Sequence, residues 1–204
     1  MNPGCGSFTL RPLAFTLDGV ATEVEKKYRL TRGEAESVRR RLEEVGGEAE
    51  GGEEFEENTI YTGPGLDPRR RVLRLRRRRG RALFTFKERE PTRSAIKRQR
   101  EEETEVSDAD ALAAILEVLG YRPALVYEKR RATWRVGGAE VVLDELPFGL
   151  FLEIEGEESS ILDAEKLLGL ENAEAEHAPY PELTLRHGTM RDGIVEARFQ
   201  ASHV

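Results

Sequence analysis

An antiparallel β fold with helices packed outside it (mainly β, α+β) is predicted for this 204-residue chain by three observations. Charged and apolar residues alternate with a period of two along segment after segment, as on strands whose two faces meet different surroundings. The strand-like segments come in runs joined by short turns, which favours hairpins over parallel crossovers. Two helical stretches carry apolar stripes able to cover one face of such a sheet.

The elements follow in order. Residues 1–20 read as a Gly/Pro-containing leader without strong periodicity, with disorder as one expectation. A strand is expected over 22–30. Thr31 reads as an N-cap for a helix over 34–45 that Gly46-Gly47 stops. After the acidic stretch Gly51 to Glu57 comes a short apolar Thr59-Ile60-Tyr61-Thr62, then a turn at Gly63-Pro64-Gly65. Strands over 71–78 and 82–88 form a hairpin around Arg79-Gly80, and a third strand covers 96–106. Ser107 is expected to cap a helix ending before Gly120. Strands over 125–136, 139–145 and 150–156 follow, and a last helix over 158–168 ends at Gly169. Residues 21–183 make one domain and 184–204 a C-terminal tail.

Composition supports a folded domain. Charged residues make up 35%, yet 32 basic residues against 39 acidic ones leave a net charge of only -7. A disordered chain of this polarity is expected to show high net charge and little apolar patterning. No run of about 18 apolar residues is present, so a membrane span is not expected. The N-terminus lacks the pattern of a secretory signal, and a cytoplasmic location is expected. The single cysteine, Cys5, excludes an internal disulfide. His177, His187 and His203 lack zinc-like spacing. Any metal is therefore expected on carboxylates, which suits Mg²⁺ or Mn²⁺.

The charged faces carry the chemistry. Glu23, Glu25 and Lys27 share one face of the first strand, with Val24 and Tyr28 on the other. Arg74 and Arg76 alternate with Leu73 and Leu75, and Thr85 and Lys87 with Phe84 and Phe86. Asp144 lies opposite Val141 and Leu143. Glu153 and Glu155 share a face opposite Leu152 and Ile154. If the helices cover the apolar faces, the charged faces turn inward on one another, and a sheet closed into a barrel encloses them. Buried charge is costly unless paired, metal-bound or solvated, so such an interior points to function. Arginine and lysine suit phosphate oxygens, and paired carboxylates suit a hard cation bridging them. Together they describe a pocket for a polyphosphate with a divalent metal. The nine arginines between Arg69 and Arg81 admit a nucleic-acid patch, but the acidic chain and the strand-spaced leucines within the run disfavour it.

Glu23-Val-Glu-Lys-Lys27 resembles the ExExK signature of CYTH domains, the group of class IV adenylyl cyclases, thiamine triphosphatases and inorganic triphosphatases. The resemblance continues through Leu73-Arg-Leu-Arg76, Phe84-Thr-Phe-Lys87, Glu101-Glu-Glu103, Lys129-Arg-Arg131, Leu143-Asp144, Phe151-Leu-Glu-Ile-Glu155 and Tyr180-Pro-Glu-Leu183. It departs at Gln99, where the family commonly has arginine, at Glu88-Arg89 and at Pro179. The resemblance implies a closed eight-stranded barrel, the triphosphate tunnel, with helices outside. It implies a metal group of Glu23, Glu25, Glu153 and Glu155 with Asp144 close by. Lys27, Arg74, Arg76, Lys87, Lys129 and Arg131 would hold phosphate oxygens, with Glu101 and Glu103 ordering those cations. Glu23, Glu25 and Lys27 would take the catalytic roles, Lys27 on the attacking or leaving oxygen. The implied partner is a triphosphate (tripolyphosphate, ATP or thiamine triphosphate), and a homodimer is admitted. Hydrolysis is the preferred activity. The alternatives are cyclisation of ATP to cyclic AMP, with Trp134 and Phe148 as candidate stacking residues, and a non-catalytic polyphosphate-binding module.

Overall fold

The alternating strands do close on themselves. The computed structural model describes residues 15–17, 20–89 and 96–200, with side chains from Thr22 onward. In chain order the first half comprises β1 (Phe15–Leu17), β2 (Val20–Leu30), α1 (Arg32–Glu44), β3 (Glu48–Ala49), β4 (Glu54–Thr62), β5 (Arg71–Arg78), β6 (Arg81–Arg89) and β7 (Lys97–Val106). The second half comprises α2 (Ala109–Val118), β8 (Arg122–Val136), β9 (Ala139–Leu146), β10 (Gly149–Glu155), α3 (Glu158–Leu168), α4 (Tyr180–His187), β11 (Thr189–Arg191) and β12 (Ile194–Ala197). Eight strands form a ring in the order β8-β4-β5-β6-β7-β2-β10-β9 and back to β8, with every neighbouring pair antiparallel. The 15-residue β8 makes closure possible: Arg122 to Arg131 pair with β4, and Arg130 to Val136 pair with β9.

Four short strands lie outside the ring. β1 pairs with β2 and β3 with β8, while the β11–β12 hairpin joins β8 through the parallel strand β12. Most of the expected leader, residues 1–14 and 18–19, lies outside the described residues. Beyond residue 183 the chain completes α4 and forms β11 and β12. Among the described residues no helix is long and apolar enough to cross a membrane.

Local chemistry explains the element ends. Thr31 caps α1 through a reciprocal box with Glu34. The N-cap of α2 is Asp108 rather than the expected Ser107. Its carboxylate accepts from the backbone N–H groups of Asp110 and Ala111 at 3.1 and 2.9 Å, where the helix dipole favours negative charge. The Arg79-Gly80 turn works because Gly80 takes φ +69°, so that Arg78 pairs directly with Arg81.

The outward faces are apolar and are covered by helices. Val141, Leu143, Leu152 and Ile154 pack with Ala35, Val38 and Leu42 of α1 and Ile161, Ala164 and Leu168 of α3. Leu73 and Leu75 of β5 pack under Leu116 of α2. Within the first cluster Glu165 accepts hydrogen bonds from Tyr28 and Lys26, pinning α3 to the outer face of β2. With its apolar residues satisfied outside, each strand has its charged series left facing in.

Ile161 is fully buried between helix and barrel. Ile161→Ala is expected to destabilise the fold by about 3 kcal/mol, the middle of the range for truncating a buried aliphatic. A urea titration checks this through a lower midpoint at unchanged slope; an unchanged midpoint would contradict the packing described.

Candidate active site and metal centre in the tunnel

All the charged residues singled out in the sequence face the barrel interior. Two cavities of about 300 and 450 Å³ occupy the interior and share Glu23, Arg74, Arg76, Lys87, Arg131 and Glu155 as lining.

Strand register decides how the carboxylates divide. In the antiparallel pair β2–β10, Glu153 lies directly across from Lys27 and Glu155 directly across from Glu25. Opposite charges in such a pair stabilise a sheet and like charges destabilise it. Glu153 accordingly lies 3.4 Å from Lys27 and accepts a hydrogen bond from Arg131 at 2.8 Å. Glu155 has no cation within ion-pair distance among the described residues. Glu23 completes its group, and one ligand oxygen from each of Glu23, Glu25 and Glu155 lies within 4.8 Å of the others. Burial, reinforced by Glu23, Glu153 and Glu140, pushes the Glu155 carboxyl well above the usual range. Burial also raises Glu23, against the pull of Lys87. Converging, partly uncompensated oxygen donors are the donor set of a hard divalent cation, which would relieve their repulsion. These residues could hold a metal.

The rest of the acidic set is matched to cations. Asp144 accepts from Arg131 at 2.8 and 2.6 Å, from Lys129 at 3.2 Å and from the Tyr180 hydroxyl at 2.8 Å. The structure thus places Asp144 and Glu153 among the basic residues, apart from the Glu23, Glu25 and Glu155 group. Glu101 lies 3.1 Å from Lys87 and 3.9 Å from Arg74, and Glu103 accepts from Thr85 at 2.8 Å. Lys87 also contacts Glu23. Lys27 donates to the Ala178 carbonyl at 3.2 Å. Burial, then repulsion from Arg131, brings the Lys129 ammonium down to about 8 despite Asp144 and Glu56. Arg74 and Arg76 line both cavities and have buried Nε atoms with no hydrogen bond, the Arg76 Nε lying 3.5 Å from Glu56.

Several other interior residues received no role in the site from the sequence reading. Glu56, hidden in an acidic stretch, is fully buried at 3.5 Å from Arg76, 2.8 Å from Arg78 and 3.3 Å from Lys129. Lys97 and Arg89 line the cavity nearest α4. Gln99, where the resemblance led to arginine, donates to Glu23 at 2.8 Å. Tyr180 of α4 lays its ring 4.0 Å from the Lys27 ammonium. The signal for α4 was available: toward that end the inward residues turn apolar as Ile60, Val72, Tyr127, Leu146 and Phe151, and Tyr180 and Leu183 pack on them. Trp134 packs by the α1 cluster, and Phe148 packs on His187 and on Phe151 of the cluster at the α4 end. The arginine run is no free patch either, since Arg71, Arg77 and Arg78 pair with Glu88, Asp110 and Glu54 while Arg74 and Arg76 face the tunnel.

Burial opposes ionisation of Glu56, but Arg76, Lys129, Arg131 and Arg78 hold it well below the usual carboxylate range. With the folded pKa below the unfolded one, its stabilisation is present above pH 4.5 and is lost as pH falls through the folded value. Glu56→Gln is expected to lower stability at pH 7 by about 3 kcal/mol, because two buried cations, Arg76 and Lys129, and the half-buried Arg78 lose a partner. It is also expected to flatten the loss of stability below pH 4.5. Urea midpoints across pH check both; parallel curves for the two proteins would contradict this.

Comparison with known proteins agrees with the fold. A Pyrococcus horikoshii OT3 protein of solved structure is 27% identical with a TM-score of 0.69, over 79% of this chain and 98% of its own. A Vibrio parahaemolyticus protein described as a candidate adenylate cyclase is 25% identical with a TM-score of 0.66, over 79% of this chain and 96% of its own. A Hippeastrum protein, described as a candidate adenylyl cyclase with a dominant triphosphatase activity, is 18% identical with a TM-score of 0.60 over 76% of this chain and 90% of its own, a likeness of fold alone. No curated protein matches the chain significantly. The model of the CYTH domain family matches residues 21–177, and the chain belongs to that family.

Proposed function

We propose that this chain hydrolyses a triphosphate inside its tunnel with a divalent metal ion, Mg²⁺ or Mn²⁺. The substrate would be tripolyphosphate, a nucleoside triphosphate or thiamine triphosphate. One observation carries the reading: Glu23, Glu25 and Glu155 converge, Glu155 with no cation within ion-pair distance among the described residues, beside a wall of buried cations with donors that make no hydrogen bond. Phosphoryl transfer needs positioning and charge neutralisation more than covalent help, and this wall is suited to both.

The roles divide by geometry. Arg74 and Arg76 would hold phosphate oxygens through their guanidinium groups, with Lys87 beside them. Lys129 and Arg131, fixed by Asp144, Glu153 and Glu56, present positive charge from β8, on the far side of β4. Glu101 and Glu103 hold Lys87 and Arg74 in place. Lys27, held by Ala178 and Glu153, would hydrogen-bond the attacking or leaving oxygen. A divalent cation at Glu23, Glu25 and Glu155 would neutralise phosphate oxygens and polarise the phosphorus toward attack.

The second reading, cyclisation of ATP with release of pyrophosphate, draws support from the Vibrio parahaemolyticus relative's description. It requires a wall that pins the base, whereas Tyr127 and Tyr180, the tunnel's aromatic rings, are buried in the packing around α4.

Incubation with Mg²⁺ or Mn²⁺ and tripolyphosphate, ATP or thiamine triphosphate, followed by product identification, separates the readings. Orthophosphate with the shortened product is expected. Cyclic AMP with pyrophosphate would move the assignment to cyclase, and binding without turnover would leave a polyphosphate-binding module. Glu155→Gln is expected to lower metal-dependent turnover by about a hundredfold, as for loss of one group stabilising developing charge. Wild-type turnover in that variant would remove Glu155 from the metal site.

A further inference from the structure

Two basic side chains in the tunnel belong to neither the motifs nor the ion-pair network described above. Lys97 on β7 and Arg89 on β6 both face the cavity at the α4 end, beside Pro179 and Tyr180. The Lys97 ammonium is buried from solvent yet makes no hydrogen bond among the described residues. Its one ion-pair partner, the Glu25 carboxylate, is 3.6 Å away. Arg89 has no side-chain hydrogen bond or ion pair among the described residues, although most of its surface is covered.

An ammonium shielded from water without a hydrogen bond forfeits the stabilisation it would have in solvent. Glu25, directly across from Lys97 on β2, and the more distant Glu153 offset that only in part, because Glu25 also faces Glu155 in register and belongs to the carboxylate group. Lys27, on the neighbouring strand, adds repulsion. Lys97 and Arg89 line the same cavity, together with Glu25 and Glu182, which attract Arg89 from beyond ion-pair distance, so an oxyanion there would meet both basic groups. We propose that Lys97 and Arg89 form an additional anion subsite at the α4 end of the tunnel, taking oxygens of a phosphoryl group of a polyphosphate. This rests on the triphosphate reading and extends it: the bound chain reaches past the carboxylate group toward α4, with Lys97 as its last buried contact and Arg89 at the opening.

The test is calorimetric binding of tripolyphosphate to the full chain in EDTA, so that neither turnover nor metal loading enters. Lys97→Met is expected to weaken binding roughly 10- to 100-fold, the loss typical of a charged hydrogen bond. Lys97→Arg is expected to stay within about threefold of wild type, since the guanidinium keeps both charge and donors. Arg89→Met, at a less buried position, provides the second variant if Lys97→Met fails to fold, with the same direction expected. Wild-type affinity in Lys97→Met and Arg89→Met would overturn the subsite while leaving the tunnel reading standing. Failure of the wild-type protein to bind tripolyphosphate would overturn both.

Discussion

Closure of the barrel is the constraint on which the rest depends. Once β8 pairs with both β4 and β9, each strand has one face toward the helices and one toward an enclosed interior. Helices α1, α2 and α3 take the apolar faces. The charged faces then have only one another, water and ligands as partners. Burying so many ionisable groups is tolerable only where they are matched across strands, and most are.

The matching is set by register. Lys27 across from Glu153, Arg131 across from Asp144 and Lys87 across from Glu101 place opposite charges face to face. Glu25 across from Glu155 does the reverse. A fold that neutralises its interior almost everywhere leaves its acidic mismatch where a cation would sit. It leaves cationic donors that make no hydrogen bond on Arg74, Arg76 and Lys97, lining the cavity where an anion would lie. Mismatch and surplus of opposite sign in one cavity are what a metal with a polyphosphate would complete.

Much of this was legible in the sequence because strand alternation has a period of two and these strands keep it. Glu23, Lys27, Arg74, Lys87 and Glu153 could all be placed on inward faces without knowing their partners. The partition of the carboxylates could not: Glu153 and Glu155 look equivalent on one strand, and only pairing with β2 separates them. Glu56 was obscured because glutamates surround it on both faces of its strand. Lys97 fell two residues before a Gln where attention lay on arginine. The helix α4 is eight residues long and begins Tyr180-Pro181 without a side-chain cap. What announces it is spread over five strands, as the inward series turning apolar toward one end.

The central claim is that Glu23, Glu25 and Glu155, rather than the cation-paired Glu153 and Asp144, hold the divalent metal beside the phosphate-binding wall. Anomalous diffraction from crystals grown with Mn²⁺ and tripolyphosphate tests it most directly. The account predicts a manganese peak about 2.2 Å from oxygens of those three glutamates, at the distance typical of a small hard cation, with triphosphate density along Arg74 and Arg76. A peak on Asp144 or Glu153 with none at the three glutamates, or triphosphate bound outside the tunnel, would contradict it.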